Sequence, residues 1–200
     1  MSPAPEPVAF PIGGIDDGVF RLRLRADSDL PAIVEACQDP AIKAYTRAPD
    51  DYDMGSAEEF ARRVDRETDS GRGLSLIIAD VADDSLLGTI GFFDYDAEEG
   101  RLELGYWLAP WARGRGAMTR ALRLFCDWIF AELDVHRIQA GIEPGNAQSI
   151  ALIERAGFTR EGILRSLFPM KGRRRDVVSY SLLRGELPEG TGSAEPPQRR

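Results

Sequence analysis

A chain of 200 residues is long enough for one domain with its own core, and 43% hydrophobic with 29% charged residues is the composition of a soluble globule. The net charge of −8 argues against a non-specific nucleic-acid binder and suits a cationic acceptor such as a free amine. One histidine and two cysteines offer no metal cluster, and the apolar runs are too short to cross a bilayer.

In chain order, residues 1 to about 17, rich in Pro and Gly, are expected to be a flexible lead-in, with no secretory leader. Apolar periodicity then predicts strand 19–25, helix 29–38 and a loop through Asp50 and Asp51. Helix 57–69 follows, with Ser56 and Glu59 as its capping box. Strands 74–81 and 86–94 are joined by a hairpin turn from Ala82 to Ser85. Strand 102–109, helix 117–132, strand 136–142, helix 147–156 and strands 158–167 and 176–183 complete the domain, which spans 18–187. From Pro188 onward the composition is that of a disordered tail. The expected class is α/β in an α+β arrangement: a mixed, largely antiparallel sheet of about seven strands flanked by four helices. Cys37 and Cys126 sit among apolar neighbours on expected helices, which suits reduced thiols and a cytoplasmic location.

The most informative stretch runs from Leu108 to Met118. A strand feeds a Pro-bearing loop that carries Arg113-Gly114-Arg115-Gly116 and passes into a helix whose stripe is Met118, Leu122, Phe125 and Ile129. The glycines let backbone approach a ligand, and the first helical N–H groups have no partner of their own. With the positive helix end and the guanidinium groups of Arg113 and Arg115, they make a pocket for a pyrophosphate. A dinucleotide fingerprint would need glycine where Thr119 stands, and no Gly-Lys-Ser/Thr of a P-loop is present. A Gly-rich turn without a ligand is the bland alternative.

The segment Arg113-Gly114-Arg115-Gly116-Ala117-Met118 resembles the coenzyme A loop of the GNAT acetyltransferases in its shorter Arg-Gly-X-Gly form. About 30 residues on, Glu143-Pro144-Gly145-Asn146-Ala147-Gln148-Ser149 and the later Gly157-Phe158 resemble the next part of that fold. Taken singly, Asn146 reads as a helix N-cap and Gly157 as a helix stop. Glu161-Gly162-Ile163-Leu164-Arg165, the run from Lys171 to Asp176 and Tyr180-Ser181-Leu182-Leu183 resemble the closing hairpin of the RimJ/RimL-type enzymes. Leu22-Arg23-Leu24-Arg25 leading to Asp39-Pro40-Ala41-Ile42 resembles the opening of that group.

The resemblance implies a splay between the fourth and fifth strands, with a backbone N–H near Leu108 left for a thioester carbonyl. It implies acetyl-CoA as acyl donor, bound without a metal by Leu108, Ala109, Arg113, Gly114, Arg115, Gly116, Ala117, Met118, Asn146 and Ser149. Acetyl transfer to an amine requires loss of an amine proton, a donor for the oxyanion and, for easier departure, a protonated thiolate. Glu103 matches a carboxylate base of some relatives; its alternatives are pairing with Arg101 or plain solvation. Ser149 is expected to relay a proton or touch the coenzyme, or simply to bond the helix backbone. The helix tyrosine of many GNAT enzymes is replaced by Ile153, which leaves water or another tyrosine, such as Tyr106, as the acid. His136 is expected to be structural, and Trp107 and Trp111 to pack core and loop, Trp111 also being a candidate for the coenzyme groove.

The segment 41–53 lies where such folds build an acceptor wall, and Tyr45 and Asp51 are its candidate acceptor-binding residues, beside Arg47, Asp50 and Asp53. A solvated loop is the alternative. The basic run from Lys171 to Arg175 reads as a hairpin turn or as a clamp on acidic groups of acceptor or coenzyme. The function implied is direct transfer of acetyl from coenzyme A to a primary amine, foremost the N-terminal α-amine of a protein. A small-molecule amine (polyamine, aminoglycoside or amino sugar) and a non-catalytic acyl-CoA-binding module are the alternatives. Neither nucleic acid nor membrane is an expected partner; a homodimer through the C-terminal hairpin is.

Overall fold

The computed structural model describes residues 7–187; the tail expected beyond Pro188 lies outside the described residues. One eight-stranded sheet carries the fold: β1 (Ile15–Asp16), β2 (Phe20–Arg23), β3 (Leu74–Asp80), β4 (Leu86–Asp96), β5 (Arg101–Leu108), β6 (Arg137–Ile142), β7 (Thr159–Met170) and β8 (Arg173–Leu183), in the order β1-β2-β3-β4-β5-β6-β8-β7. Every neighbouring pair is antiparallel except β5–β6. Five helices accompany it: α1 (Leu30–Ala36), α2 (Pro40–Tyr45), α3 (Met54–Asp69), α4 (Ala117–Glu132) and α5 (Ala147–Arg155). Helices α1 and α3 pack together, α1 also against β4 and α3 against β3, while α4 lies on β2, β3 and β4 and touches α5. None of the described helices is long and apolar enough to cross a membrane.

The core follows from the periodicities. Met118, Leu122, Phe125 and Ile129 of α4 are all buried, and the Phe125 ring stacks between Phe92 of β4 and Trp128. In β3, Leu76, Ile77 and Ile78 are consecutive and all buried, as in a strand covered on both faces.

Four local features differ from the sequence expectation. Residues 7–17 are tied to the core: Val8 and Phe10 are buried, Phe10 meets Trp128 edge-on at 4.9 Å, and β1 pairs with β2. Helix α2 forms where a loop was expected, because the Asp39 carboxylate accepts from the N–H groups of Ala41 and Ile42 and Pro40 occupies the first turn. Helix α3 starts at Met54, since Asp53 rather than Ser56 is its cap; Asp53 Oδ1 accepts from the N–H of Ser56 at 2.8 Å and from its hydroxyl at 2.9 Å. The basic run enters β8 after a two-residue turn at Lys171 and Gly172, both left-handed, with Met170 opposite Arg173.

Two irregularities place the site. Pairing between β5 and β6 runs only from Arg101↔Arg137 to Leu104↔Ala140, and beyond it a gap opens between the strands that the sequence numbers fourth and fifth. On β7 the register slips between Leu164 and Phe168. Ser166, at φ +52°, donates its N–H to Asp176 at 2.8 Å, and Arg174 grips its carbonyl at 2.8 Å.

Candidate active site

The site is one gap with two compartments. The larger is a cleft of about 720 Å³ that runs from the start of α4 along β5 to α5. Gly114 and Gly116 stand at φ +77° and +76°, with open space where a Cβ would lie, so backbone conformation rather than crowding selects glycine there. Gly116 caps α4, and Gly114, Gly116, Ala117, Met118 and Thr119 face the cleft, which brings the unpartnered helical N–H groups to its wall. Trp107 and Leu108 line the β5 side, and Asn146, Ser149, Leu152 and Arg155 the opposite wall.

The two arginines behave differently. Arg113 lines the cleft and forms a two-pronged pair with Asp39, at 2.7 and 3.1 Å. That guanidinium is the main cause holding the Asp39 carboxyl below the ordinary carboxylate range. Arg115 is not part of the lining: it binds Asp80 at 2.6 Å and lies over the Phe20 ring. Ala109 is also absent from the wall, being fully buried with its N–H donated to Leu87 O at 2.8 Å. Trp111 hydrogen-bonds Leu86 O, and it is Trp107 that borders the groove.

The smaller compartment, about 100 Å³, occupies the gap beyond Leu104 and Ala140 and is bordered by Glu143, Phe168 and Val177. The slip in β7 comes immediately before Phe168, and the Arg47 guanidinium lies 5.2 Å over that ring. The compartments share Tyr45, Tyr106, Asn146 and Ser149. At this common wall the hydroxyls of Tyr106 and Ser149 are 2.8 Å apart. Asn146 caps α5 by accepting from the N–H of Ser149 at 3.2 Å. Burial pushes the Tyr106 phenol up to about 12, so it is a neutral proton donor at physiological pH. Ile153 is wholly buried and supplies nothing to the site.

The segment 41–53 is anchored across the gap. Tyr45 donates to Gly145 O at 2.9 Å, and Lys171 donates to Lys43 O at 2.7 Å and to Asp50 at 2.5 Å. Asp51 lines neither compartment. The basic run is divided among structural tasks: Lys171 holds the segment, Arg174 the irregular turn of β7, and Arg175 is buried against Glu143 at 2.7 Å.

Glu103 lies just outside both linings. Its Oε1 would stand 3.1 Å from a Cβ placed on Gly141, which does line the smaller compartment. Burial raises its carboxyl above the ordinary range, Asp94 adds to the rise and Arg47 opposes it. Arg101 pairs with Glu99 and Asp96 instead. Glu143 and Phe168 were not singled out by sequence reasoning, because the partners that define them, Arg175 and Arg47, are far away along the chain.

Split central strands with a helix start at one end and a small side compartment at the other are the frame of a transferase that draws its acyl group from a coenzyme. Residues 20–159 match the Acetyltransferase (GNAT) domain. The chain belongs to this family and is an acetyl-CoA-dependent N-acetyltransferase. It is similar to the uncharacterized N-acetyltransferase p20 of Bacillus licheniformis, with 32% identity over 165 residues covering 82% of this chain and 93% of that protein. Mycobacterium smegmatis RimJ in complex with CoA-disulfide is similar in structure, with a TM-score of 0.76 and 26% identity over 86% of this chain and 85% of that one. The spermidine N-acetyltransferase from Vibrio cholerae in complex with CoA and spermine shares the fold, with a TM-score of 0.73 and 21% identity over 85% and 98% of the two chains.

Proposed function

We propose that acetyl passes directly from acetyl-CoA in the larger cleft to a primary amine in the smaller compartment, with the N-terminal α-amine of a protein as favoured acceptor. The observation that carries this reading is the common wall, where Tyr106 and Ser149 face both spaces. The free N–H groups from Gly116 to Thr119, with Arg113, hold the diphosphate, and the edge of β5 beside Trp107 and Leu108 receives the pantetheine arm. The amine nitrogen attacks the thioester carbon; its surplus proton passes through a water to Glu103, which stands behind Gly141 and whose raised pKa suits a base working near neutrality. As the carbon–sulfur bond breaks, Tyr106 protonates the departing thiolate; the Ser149 hydroxyl hydrogen-bonds the phenolate left behind, which regains its proton from solvent as Glu103 sheds the one it took. A neutral, half-buried phenol does here what the missing helix tyrosine does in other members.

A compartment of about 100 Å³ bordered by Phe168 and Val177 admits an amine with a small side chain more readily than an amino sugar. Lys171 already neutralises Asp50, one of the acidic groups that a polyamine would seek. The similarity to RimJ agrees with this preference; the spermidine enzyme's likeness and the net negative charge favour polyamines as the second reading. Thiol release from acetyl-CoA with peptides bearing N-terminal Ala or Ser, against spermidine and aminoglycosides, tests it. Turnover of the peptides alone is expected. Inert peptides beside reactive spermidine would establish the second reading, and tight acetyl-CoA binding without turnover of any amine would leave a binding module.

A further inference from the structure

We propose that Glu143, held by Arg175, is the anchor for the acceptor amine: its Oε1 accepts a hydrogen bond from an N–H of the incoming nitrogen and selects acceptors that carry one. This rests on the reading of the chain as an amine acetyltransferase and names the group that recognises the amine. Glu143 directly follows β6, where the smaller compartment ends, and is the sole carboxylate among the described residues that line it.

The geometry of the ion pair is the argument. Buried Arg–carboxylate pairs frequently engage both carboxylate oxygens with two guanidinium nitrogens, and each unpaired polar atom left out of water is costly. Here Arg175 touches Oε2 through one terminal nitrogen at 2.7 Å, with side-chain exposures of 8% for Arg175 and 15% for Glu143. Glu143 Oε1 and Arg175 Nε are buried and have no hydrogen-bond partner among the described residues. The unpaired oxygen is closed off from water but belongs to a side chain that borders the space where an acceptor would sit, so a turn of the carboxylate about its last bond brings it to an arriving N–H. The other polar groups there are already engaged: the Tyr106 and Ser149 hydroxyls bond each other, Tyr45 donates to Gly145 O, and Asn146 caps α5. Arg175 stands opposite Phe168 across the β7–β8 ladder. The same hairpin thus supplies the apolar lid and the cation that orients the carboxylate.

Glu143→Gln keeps the shape and an acceptor for Arg175 but removes the charge. At saturating acetyl-CoA, the amine KM is expected to rise about 10- to 100-fold, the range for a hydrogen bond to a charged group, with a smaller change in kcat. The Kd for acetyl-CoA, measured by calorimetry on the same sample, is expected to stay within about twofold. An unchanged amine KM overturns the proposal, as does a lowered Tm with an equal loss of kcat for every acceptor, the mark of a purely structural pair. If Gln destabilises the fold too far for assay, Glu143→Asp is read the same way: it retains the charge but draws it back, so a raised amine KM supports the anchor and an unaltered one overturns it. Failure of the underlying reading looks different, because wild-type protein would then bind acetyl-CoA and acetylate no amine at all.

Discussion

The two compartments sit side by side but are assembled in opposite ways. The larger cleft, proposed for the coenzyme, is made mostly of two stretches, residues 106–119 and 145–155, and much of its lining is backbone and small side chains. The smaller compartment, proposed for the acceptor, draws on six elements: residues 104–106 of β5 and 140–142 of β6 are joined by lone residues of α2, α5, β7 and β8, from Tyr45 to Val177. A ligand recognised through backbone leaves a short, readable pattern of glycines. One recognised through side chains from six elements leaves no single local pattern.

The largest expected effect probes the acceptor side. Glu103→Gln should lower kcat/KM by about 100-fold or more at neutral pH, as loss of a general base does. The sign of the pH dependence is fixed by the raised carboxyl: only the deprotonated form accepts a proton, so the wild-type rate falls as pH drops through a value above the ordinary carboxylate pKa. The variant's profile should lack that limb, and a limb unmoved by the substitution would remove Glu103 from the mechanism. Next, Tyr106→Phe should cut kcat by about 10- to 100-fold while acetyl-CoA affinity and amine KM stay within about threefold, by steady-state assay.

Turning to the donor side, Gly116→Val forces a β-branched residue to φ +76°. The strain of about 1–3 kcal/mol should move the loop and weaken acetyl-CoA binding by about 10-fold or more in calorimetry. The amine KM at saturating coenzyme should not follow; if it does, the compartments are not separable. The smallest effect concerns the link between them. Asp39→Asn keeps a cap for α2 but weakens the hold on Arg113, so acetyl-CoA should bind up to about 5-fold tighter, the scale of a partly exposed ion pair.

Long periodic elements and the glycine loop were legible in the sequence. The α4 stripe, the strand pair 74–80 and 86–96, the glycines at 114 and 116 and the Asn146–Ser149 turn each express a local rule about helix faces, alternation or caps. Short elements escaped: β1 has two residues and α2 six, less than either period needs to declare itself. Asp53 and Ser56 are both good caps three residues apart, and only the packed helix shows which one is used. Arg115 and Ala109 fit the motif but miss the cleft for reasons remote in sequence, the Asp80 carboxylate and the Leu87 carbonyl. Likewise, nothing near Glu143 announces Arg175, 32 residues downstream.

The shared wall of Tyr45, Tyr106, Asn146 and Ser149 has a kinetic corollary. Both thiols are buried and line neither compartment, and burial raises the pKa of each, so neither Cys37 nor Cys126 is placed to carry the acetyl group between half-reactions. Donor and acceptor must then be co-resident, and double-reciprocal plots should intersect rather than run parallel. With adjoining compartments for the two reactants, spent coenzyme and fresh amine can also lodge together, and such abortive complexes should appear as inhibition by excess amine that deepens as free coenzyme A accumulates.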